Sequence, residues 1–318
     1  MADPRPSRAG RRARWRLVFL GDLAVDVVLR PHAPLALGTD VPGRVEFRAG
    51  GSAANAARWA ARLGARATFV GAVGRDAWGR SLAASLKTDG VTARLARAPG
   101  PSARIGVVLG PGGERSFVAD RGAADRLAAE WLRPAWFGAD LLHMPAYSLL
   151  SDALVPAALR AVALARANAA LVSIDLASRG PLLAHGRREV LRRLERASPD
   201  ILLGNEFEVG VLAAARGPQA LLDVAPILCV KRGAEGCALW ARPGGRSTEP
   251  VTLEVLAAKV STADTTGAGD AFDAGFLIAW LDARAAGVGL SVALHRAAVA
   301  GNRAAARYLL SPRRELGV

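Results

Sequence analysis

The stretch Asp264-Thr265-Thr266-Gly267-Ala268-Gly269-Asp270 combines a small, flexible turn with a carboxylate, and an apolar run to Leu281 follows it. A Gly-Ala-Gly turn that leads into a helix leaves backbone N–H groups unobstructed at the positive end of the helix dipole. Such a turn can bind an anion, above all a phosphoryl group during its transfer. Asp270 would then lie where a carboxylate can take a proton from an attacking hydroxyl. The alternative interpretation is an ordinary glycine-rich turn before a helix.

Two further carboxylates, Asp22 and Asp26, follow the first apolar run of the chain, at residues 17–20. Parallel sheets bind ligands at the carboxyl ends of their strands. A carboxylate accepts paired hydrogen bonds from neighbouring hydroxyls, so these residues suit a polyol. Asn55, which follows Gly50-Gly51, offers both a donor and an acceptor, as the discrimination of a hydroxyl pattern requires. The alternatives are two solvated loop carboxylates and an asparagine that only stabilises a turn.

Short apolar runs alternate with helical patterns, which predicts β-α-β units and a mostly parallel sheet covered by helices on both faces. The predicted strands cover residues 17–20, 67–70, 140–143, 171–175, 201–203 and 227–230. The predicted helices cover residues 53–63, 79–88, 154–167, 187–197, 206–215, 268–281 and 292–309. Two β-ribbons, 25–30 with 45–48 and 105–109 with 115–119 around Pro111-Gly112-Gly113, interrupt this alternation. They predict a small separate sheet, for which Gly50-Gly51 would be the hinge.

Composition sets the outer limits of the function. The chain has 318 residues, 51 % of them hydrophobic, which is enough for one large α/β domain with an insertion. Its apolar runs are shorter than the ~18 residues of a membrane helix, and the run at 17–20 is too short for a secretory signal. We therefore expect a cytoplasmic protein with no membrane partner and a disordered basic tail at residues 1–14. Cys229 and Cys237 are expected to be buried thiols, and four histidines without a Cys/His cluster do not indicate zinc.

The net charge of +14 and the pI near 11.3 would suit a nucleic-acid-binding protein. However, lysine occurs only at positions 87, 231 and 259, so arginine carries nearly all the positive charge, and it is scattered along the chain. The interleaved aromatic residues of a nucleic-acid surface are missing. We therefore expect no nucleic-acid partner.

Residues 264–276, DTTGAGDAFDAGF, closely resemble the C-terminal signature of the ribokinase-like (PfkB) family of carbohydrate kinases. The run GGSAANAA at 50–57, with Leu63-Gly64, Phe69-Val70-Gly71 and Gly74-Arg75-Asp76-x-x-Gly79, resembles the N-terminal signature of the same family. The resemblance covers about residues 16–310. It implies a three-layer α/β/α domain at 15–318 with a mostly parallel central sheet. It also implies a small β-sheet lid, formed by inserted segments at about 25–49 and 103–120.

The resemblance implies transfer of the γ-phosphoryl of ATP to a sugar hydroxyl. Asp270 would be the general base, and the backbone of Gly267, Ala268 and Gly269 the anion hole. The substrate-binding residues that it implies are Asp26, Asp22, Gly50, Gly51, Asn55 and Arg121. Arg121 can equally form a surface ion pair, and Asp76 is interpreted as the N-cap of a helix at 77–88. The chain has no Gly-x-x-x-x-Gly-Lys-[Ser/Thr] motif, which excludes a P-loop kinase.

For the nucleotide, the resemblance implies Asn205, Lys231, Gly233, Gly236, Thr266 and Asn302 as the residues that bind ATP. Glu208, in the motif Asn205-x-x-Glu208, would help to position Mg²⁺ and its waters. Without the family, this motif is a common helix cap, and the loop at 231–236 is an ordinary turn. The residues do not decide whether a monovalent cation such as K⁺ binds near Asp264. They also do not decide whether the chain forms a homodimer through the lid.

We expect the acceptor to be a sugar. A nucleoside needs an apolar or aromatic platform for its base, and the proposed lid carries only Phe47 and Phe117 as aromatic residues. The alternative is a nucleoside kinase of the same family, which would share every catalytic residue. A non-catalytic binding protein on the same fold is disfavoured by the intact motif at 267–270.

Overall fold

The computed structural model describes residues 15–110, 115–243, 249–262, 264–312 and 314–317. The predicted basic tail and the Pro111-Gly112-Gly113 turn lie outside the described residues. The strands are β1 (Arg16–Leu20), β2 (Ala24–Pro31), β3 (Gly43–Gly50), β4 (Arg66–Val73), β5 (Thr92–Arg97), β6 (Ala103–Leu109), β7 (Arg115–Asp120), β8 (Leu141–Pro145), β9 (Leu171–Asp175), β10 (Ile201–Asn205), β11 (Ile227–Lys231), β12 (Cys237–Ala241) and β13 (Val251–Val255). The helices are α1 (Ser52–Arg62), α2 (Ala77–Thr88), α3 (Tyr147–Leu150), α4 (Val155–Arg166), α5 (Arg179–His185), α6 (Arg187–Ala197), α7 (Glu206–Ala213), α8 (Ala268–Ala285) and α9 (Leu290–Leu309).

The larger sheet has the strand order β13-β12-β11-β10-β9-β8-β1-β4-β5. It is parallel from β11 to β5, while β12 and β13 extend it antiparallel. Its strands are buried apolar runs, as sheets covered on both faces require. Helices α4, α6 and α7 pack on one face, and α1, α8 and α9 pack on the other. The predicted three-layer fold is therefore confirmed.

The carboxyl ends of the parallel strands place polar residues along one edge of this sheet. Asp175, Asn205 and Lys231 are the last residues of β9, β10 and β11, and Asp22 follows β1. The pairing of Asn205 with Lys231 puts neighbouring strand ends in register. This edge is therefore the place where a ligand can meet several strand ends at once.

The small sheet has the strand order β3-β2-β6-β7 and confirms both predicted ribbons, which join through the parallel pair of β2 and β6. Gly50 ends β3, and a Cβ atom there would overlap the Asp26 carboxylate. Gly51 has a φ of 96°, and a Cβ atom there would overlap the backbone oxygen of Asp22. The two glycines are needed because the chain passes directly against the segment that carries both carboxylates.

Two minor predictions are also confirmed. Cys229 and Cys237 are free, buried thiols on the neighbouring strands β11 and β12. Asp76 caps α2, since its carboxylate accepts the Gly79 N–H at 2.7 Å and two further hydrogen bonds from Ser102. None of the helices in the described part of the chain is both long and apolar enough to cross a membrane.

Replacing the capping residue should destabilise the fold. We expect Asp76→Ala to lower the free energy of unfolding by about 1–3 kcal/mol, because a helix cap and two hydrogen bonds to Ser102 are lost. Urea denaturation measures this loss. Asp152→Ala is the control, since Asp152 is 84 % exposed in its ion pair with Arg193 and such pairs contribute about 1 kcal/mol or less. Equal losses in the two variants would contradict the assigned role.

Candidate active site

The turn before α8 is held from two sides. The Asp264 carboxylate accepts the Thr266 N–H at 3.1 Å, and the Tyr308 hydroxyl of α9 donates to the Thr266 carbonyl at 2.6 Å. Gly267 has a φ of 85°, and a Cβ atom there would overlap the Tyr308 hydroxyl. The Ala268 N–H donates to Thr265 O at 3.2 Å within the turn. The glycine is therefore required for the turn that opens the helix at the position predicted for an anion hole.

Asp270 lies in the first turn of α8 and faces the first turn of α1. Ser52 Oγ donates to its Oδ1 at 2.7 Å, and Asn55 Nδ2 donates to its Oδ2 at 3.0 Å. The Asn55 amide oxygen accepts a hydrogen bond from the buried Arg58, which fixes the orientation of the amide. Burial raises the pKa of Asp270 to about 7, although both hydrogen bonds favour the charged form. The site therefore holds a carboxylate that titrates near neutral pH.

Asp26 lies in β2 of the small sheet, close to Asp22. Burial, together with the charge of Asp22, raises the pKa of Asp26 to about 7. Arg121 Nη1 lies 3.4 Å from Asp22 Oδ2, Arg121 Nε donates to Asp125 at 2.6 Å, and the guanidinium lies over the Tyr147 ring. The structure therefore brings Arg121 to the site and also gives it the ion pairs of the alternative interpretation.

Two polar atoms beside this ion pair are buried and have no hydrogen-bond partner among the described residues. They are Asp22 Oδ1 and Arg121 Nη2. An unsatisfied buried polar group costs about 1–3 kcal/mol. A hydroxyl can accept from a guanidinium and donate to a carboxylate, so one bound polyol can satisfy both atoms.

Lys231 lies at the end of β11 and binds carboxylates from two other elements. Its ammonium donates to Asp175 of β9 and lies 3.0 Å from Asp273 Oδ1 of α8. Burial opposes the ionisation of Asp175, but the Lys231 charge holds its pKa below the usual range. Burial beside Asp175 raises the pKa of Asp273 well above its usual range. The cluster therefore contains one ion pair, and burial favours the neutral form of its second carboxyl group.

The Lys231 ammonium lies directly below the turn before α8. A Cβ atom on Gly269 would be 3.3 Å from Lys231 Nζ, so a side chain there would require the ammonium to shift by a few tenths of an ångström. The sequence predicted Lys231 as a nucleotide residue but missed Asp175 and Asp273. Asp273 carries a signal in retrospect, because a carboxylate inside the apolar run 271–281 requires a partner.

Asn205 and Glu208 form the helix cap of the alternative interpretation. Asn205 Oδ1 accepts the Glu208 N–H at 2.9 Å, while the two carboxylate oxygens of Glu208 accept from the Asn205 backbone and amide at 2.8 Å. Burial and the Asp175 charge raise the pKa of Glu208 to about 7. The described residues contain no group of three or more His, Cys, Asp and Glu that could hold a metal. The Glu208 and Asp175 carboxylates, which repel each other, nevertheless fit a cation that is held mainly by waters and phosphates.

Two cavities are relevant to the site. The second, of about 320 Å³, lies beside the turn between β11 and β12. It is lined by Arg232, Ala234, Glu235, Cys237, Glu254, Leu256, Ala257 and Lys259. Gly236 has a φ of 93°, and a Cβ atom there would overlap Val255 O. Asn302 donates to the carbonyls of Val255 and Leu256 at 3.2 Å, so it supports the wall of this cavity from α9. Gly233 lies in the same turn with open space around it.

The comparisons with known proteins agree with this geometry. The model of the pfkB family of carbohydrate kinases matches residues 15–312. Over 287 residues the chain is 30 % identical to probable fructokinase-4 of Arabidopsis thaliana, with 85 % of this chain and 83 % of the relative covered. A fructokinase with bound ATP from Xylella fastidiosa superposes with a TM-score of 0.78 at 25 % identity, over 94 % of this chain and 93 % of that one. An adenosine kinase from Sinorhizobium meliloti has the same TM-score at 22 % identity, over 95 % and 96 % of the chains, which is a likeness of fold alone.

Fold and site together define a phosphotransferase with an alcohol group as acceptor. The chain belongs to the pfkB family of carbohydrate kinases. It is an ATP-dependent sugar kinase.

The raised pKa values predict how stability depends on pH. Asp26, Asp270 and Glu208 keep their protons to about pH 7 in the folded chain, while unfolded carboxyl groups lose theirs near pH 4. The folded state therefore binds more protons between these values, so the free energy of unfolding falls as the pH rises. We expect the ligand-free enzyme to be less stable at about pH 8 than at about pH 5, by a few kcal/mol.

Denaturant unfolding at several pH values, without ATP or sugar, measures this dependence. Asp270→Asn should be more stable than the wild type near pH 8 and similar to it near pH 5, because the amide removes one of the titrating groups. Asp282→Asn, on the exposed surface of the same helix, is the control. If wild type and Asp270→Asn lost stability in parallel with rising pH, Asp270 would not titrate in this range.

Proposed function

We propose that the enzyme transfers the γ-phosphoryl group of ATP to a hydroxyl of a small neutral sugar, with Asp270 as the general base. The observation that carries this proposal is the pair of half-buried carboxylates, Asp26 and Asp270, each with its pKa raised to about 7. A base is most effective when its pKa lies near the working pH. Asp26 would bind the hydroxyls of the sugar, and Asp270 would accept the proton of the reacting one.

Each neighbour of Asp270 then has a defined task. Ser52 and Asn55 orient the carboxylate, and Asn55 can exchange its hydrogen bond for one to the sugar when the substrate binds. The backbone N–H groups of Gly267 and Gly269 would hold the charge that develops on the phosphoryl group, and that of Ala268 would exchange its hydrogen bond to Thr265 O for one to this group. The Lys231 ammonium lies close to Gly269, and its charge is already paired with the Asp175 carboxylate, so it would orient this end of the site without adding net positive charge.

The nucleotide would extend from the anion hole to the second cavity, whose volume of about 320 Å³ is at the lower end of the range for small-molecule sites, about 300–1,000 Å³. Thr266 and the turn with Gly233 and Gly236 would contact it, while Asn205 and Asn302 support the walls. Mg²⁺ would enter with ATP, and its chemistry would be to offset the charge of the phosphates. Glu208 and Asp175 would hold its waters, since both oxygens of Glu208 already accept hydrogen bonds in the cap.

The acceptor is proposed to be a neutral sugar because the cation nearest to Asp22 is already neutralised. Arg121 is paired with both Asp22 and Asp125, which leaves no surplus positive charge for a sugar acid. The Phe47 ring lies 5.1 Å from the Trp78 ring, so Trp78 covers part of this aromatic residue, which is 38 % exposed. The fructokinase relatives make a ketohexose the first sugar to test. The small sheet, at about 25–49 and 103–120, would act as the lid that excludes water.

Removing the proposed base, Asp270, should abolish turnover but should not prevent the binding of ATP and sugar. We expect Asp270→Asn to lower kcat by at least about 100-fold, because the amide cannot accept the proton. Equilibrium binding of ATP and of the sugar should change little. Asp282→Asn on the same helix serves as the control. A variant that kept more than about a tenth of the wild-type kcat would contradict the role of general base.

A coupled ADP-release assay against ketohexoses, aldohexoses, pentoses, sugar acids and nucleosides tests the substrate class. We expect a neutral sugar to give the highest kcat/KM. For that sugar, Asp26→Asn should raise KM about tenfold or more, because a charged acceptor contributes about 1.5–3 kcal/mol to each hydrogen bond. Its effect on KM for ATP should be small. A nucleoside with a kcat/KM above that of every sugar would overturn the assignment.

A further inference from the structure

Two arginines of the small sheet bind the aspartate that precedes the anion-hole turn. Arg48 Nη1 of β3 lies 2.9 Å from Asp264 Oδ2, and Arg30 Nη2 of β2 lies 3.2 Å from the same oxygen. Glu46 of β3 accepts hydrogen bonds from Arg48, and its Oε1 lies 3.4 Å from Arg30 Nε. Because Glu46 contacts both guanidinium groups, it fixes their positions relative to each other. Two cations and two anions thus form one ordered cluster, the Arg30–Glu46–Arg48–Asp264 cluster.

The central ion pair of this cluster is shielded from solvent. The side chains of Arg48 and Asp264 are 14 % and 11 % exposed, against 32 % and 23 % for Arg30 and Glu46. Hydrogen bonds between charged groups in such a position are about twice as strong as those between neutral groups. The contact between the small sheet and the Asp264 segment is therefore stronger than an exposed ion pair would make it.

Asp264 connects this cluster to the catalytic turn. Its Oδ2 accepts from the two arginines, while its Oδ1 accepts the Thr266 N–H at 3.1 Å. Thr266 directly precedes Gly267, the first residue of the anion hole. The orientation of this backbone therefore depends on one carboxylate whose other oxygen is bound by the small sheet.

A monovalent cation does not fit beside this carboxylate. The resemblance to the family left open a K⁺ site near Asp264. However, both carboxylate oxygens of Asp264 already accept hydrogen bonds from protein donors. Guanidinium groups stay charged at every accessible pH, so two fixed positive charges would repel an added cation. The charge that a cation would bring to Asp264 is already supplied by the chain itself.

We propose that Arg48, assisted by Arg30, takes the place of a monovalent cation at Asp264, so that the kinase works without K⁺. The inference rests on the proposed function, because the anion hole that Asp264 orients belongs to it. Arg48 is thus a positioning residue, which acts on the transferred phosphoryl group through Asp264 and Thr266. It also makes the geometry of the anion hole depend on the position of the small sheet.

The surroundings of the cluster make this proposal testable with ions. A cavity of about 130 Å³ has Arg48, Asp264 and Thr266 in its wall. Truncation of Arg48 enlarges this cavity and removes one of the two guanidinium groups from Asp264 Oδ2. A small cation that cannot compete with the guanidinium in the wild type can then bind the carboxylate.

The experiment compares the wild type, Arg48→Ala and Arg104→Ala in KCl and in tetramethylammonium chloride at equal ionic strength. Arg104 is the control because it is an arginine of the same sheet whose partner, Asp120, is exposed. We expect wild type and Arg104→Ala to have the same kcat in both salts. Arg48→Ala should lose about tenfold in kcat in tetramethylammonium, the size of one charged hydrogen bond, and K⁺ should restore part of it. Arg48→Lys should keep most of the activity in both salts.

Thermal unfolding in the same salts gives a readout that does not need turnover. K⁺ should raise the melting temperature of Arg48→Ala and leave that of the wild type unchanged. A K⁺-dependent melting temperature or kcat of the wild type would overturn the proposal, as would a loss in Arg48→Ala that K⁺ does not reduce. If no acceptor in the sugar and nucleoside panel is phosphorylated, the proposed function fails, while the melting temperatures still decide the cation site. If Arg48→Ala does not fold, Arg30→Ala replaces it in both measurements.

Discussion

The ion pair of Lys231 with Asp175 is the interaction on which the site depends. The ends of β9, β10 and β11 and the start of α8 bring Asp175, Glu208, Asp270 and Asp273 together; Asp270 is half-buried and the other three are buried. Unpaired buried charges would cost several kcal/mol each. One ammonium neutralises Asp175, burial raises the pKa of Asp273 well above its usual range, and Asp270 and Glu208 titrate near pH 7. The arrangement is stable because the four carboxyl groups are not all ionised at once.

The same arrangement explains why two helices begin at the site. The first turns of α1 and α8 meet at Asp270, so the positive ends of two helix dipoles point toward the space where phosphates would lie. This arrangement lowers the stability of the ligand-free enzyme. One carboxylate oxygen at the site, Asp22 Oδ1, is buried without a partner among the described residues before substrates arrive, and a bound hydroxyl group would satisfy it. Ligands should therefore contribute to the stability of the fold as well as to the reaction.

The sequence predicted the layers and most elements because their patterns are local. Strand β9 and helix α6 have the predicted bounds, and the motifs led directly to Asp270, Asp26 and Asn55. Strand β5 was missed because Thr92–Arg97 carries two arginines and so is not an apolar run. Strand β13 was missed because exposed and half-buried residues alternate along it at the edge of the sheet. Tyr308 and the two arginines that bind Asp264 could not be found in this way. Each acts on a partner more than 40 residues away in the chain, and no local pattern records such a pairing.

The missing side chain at Gly50 has a consequence for how such an enzyme can change its substrate. Because the Asp26 carboxylate fills the place of a Cβ atom, position 50 and the proposed sugar contact at position 26 form one packing unit. Selection for a new acceptor cannot add a side chain at position 50 while Asp26 keeps its place. Arg121, which stacks on Tyr147 and spans Asp22 and Asp125, has no such constraint on its backbone. In a directed-evolution library, new specificities would therefore arise at Arg121 and its neighbours, while Gly50 would be recovered unchanged in every active clone.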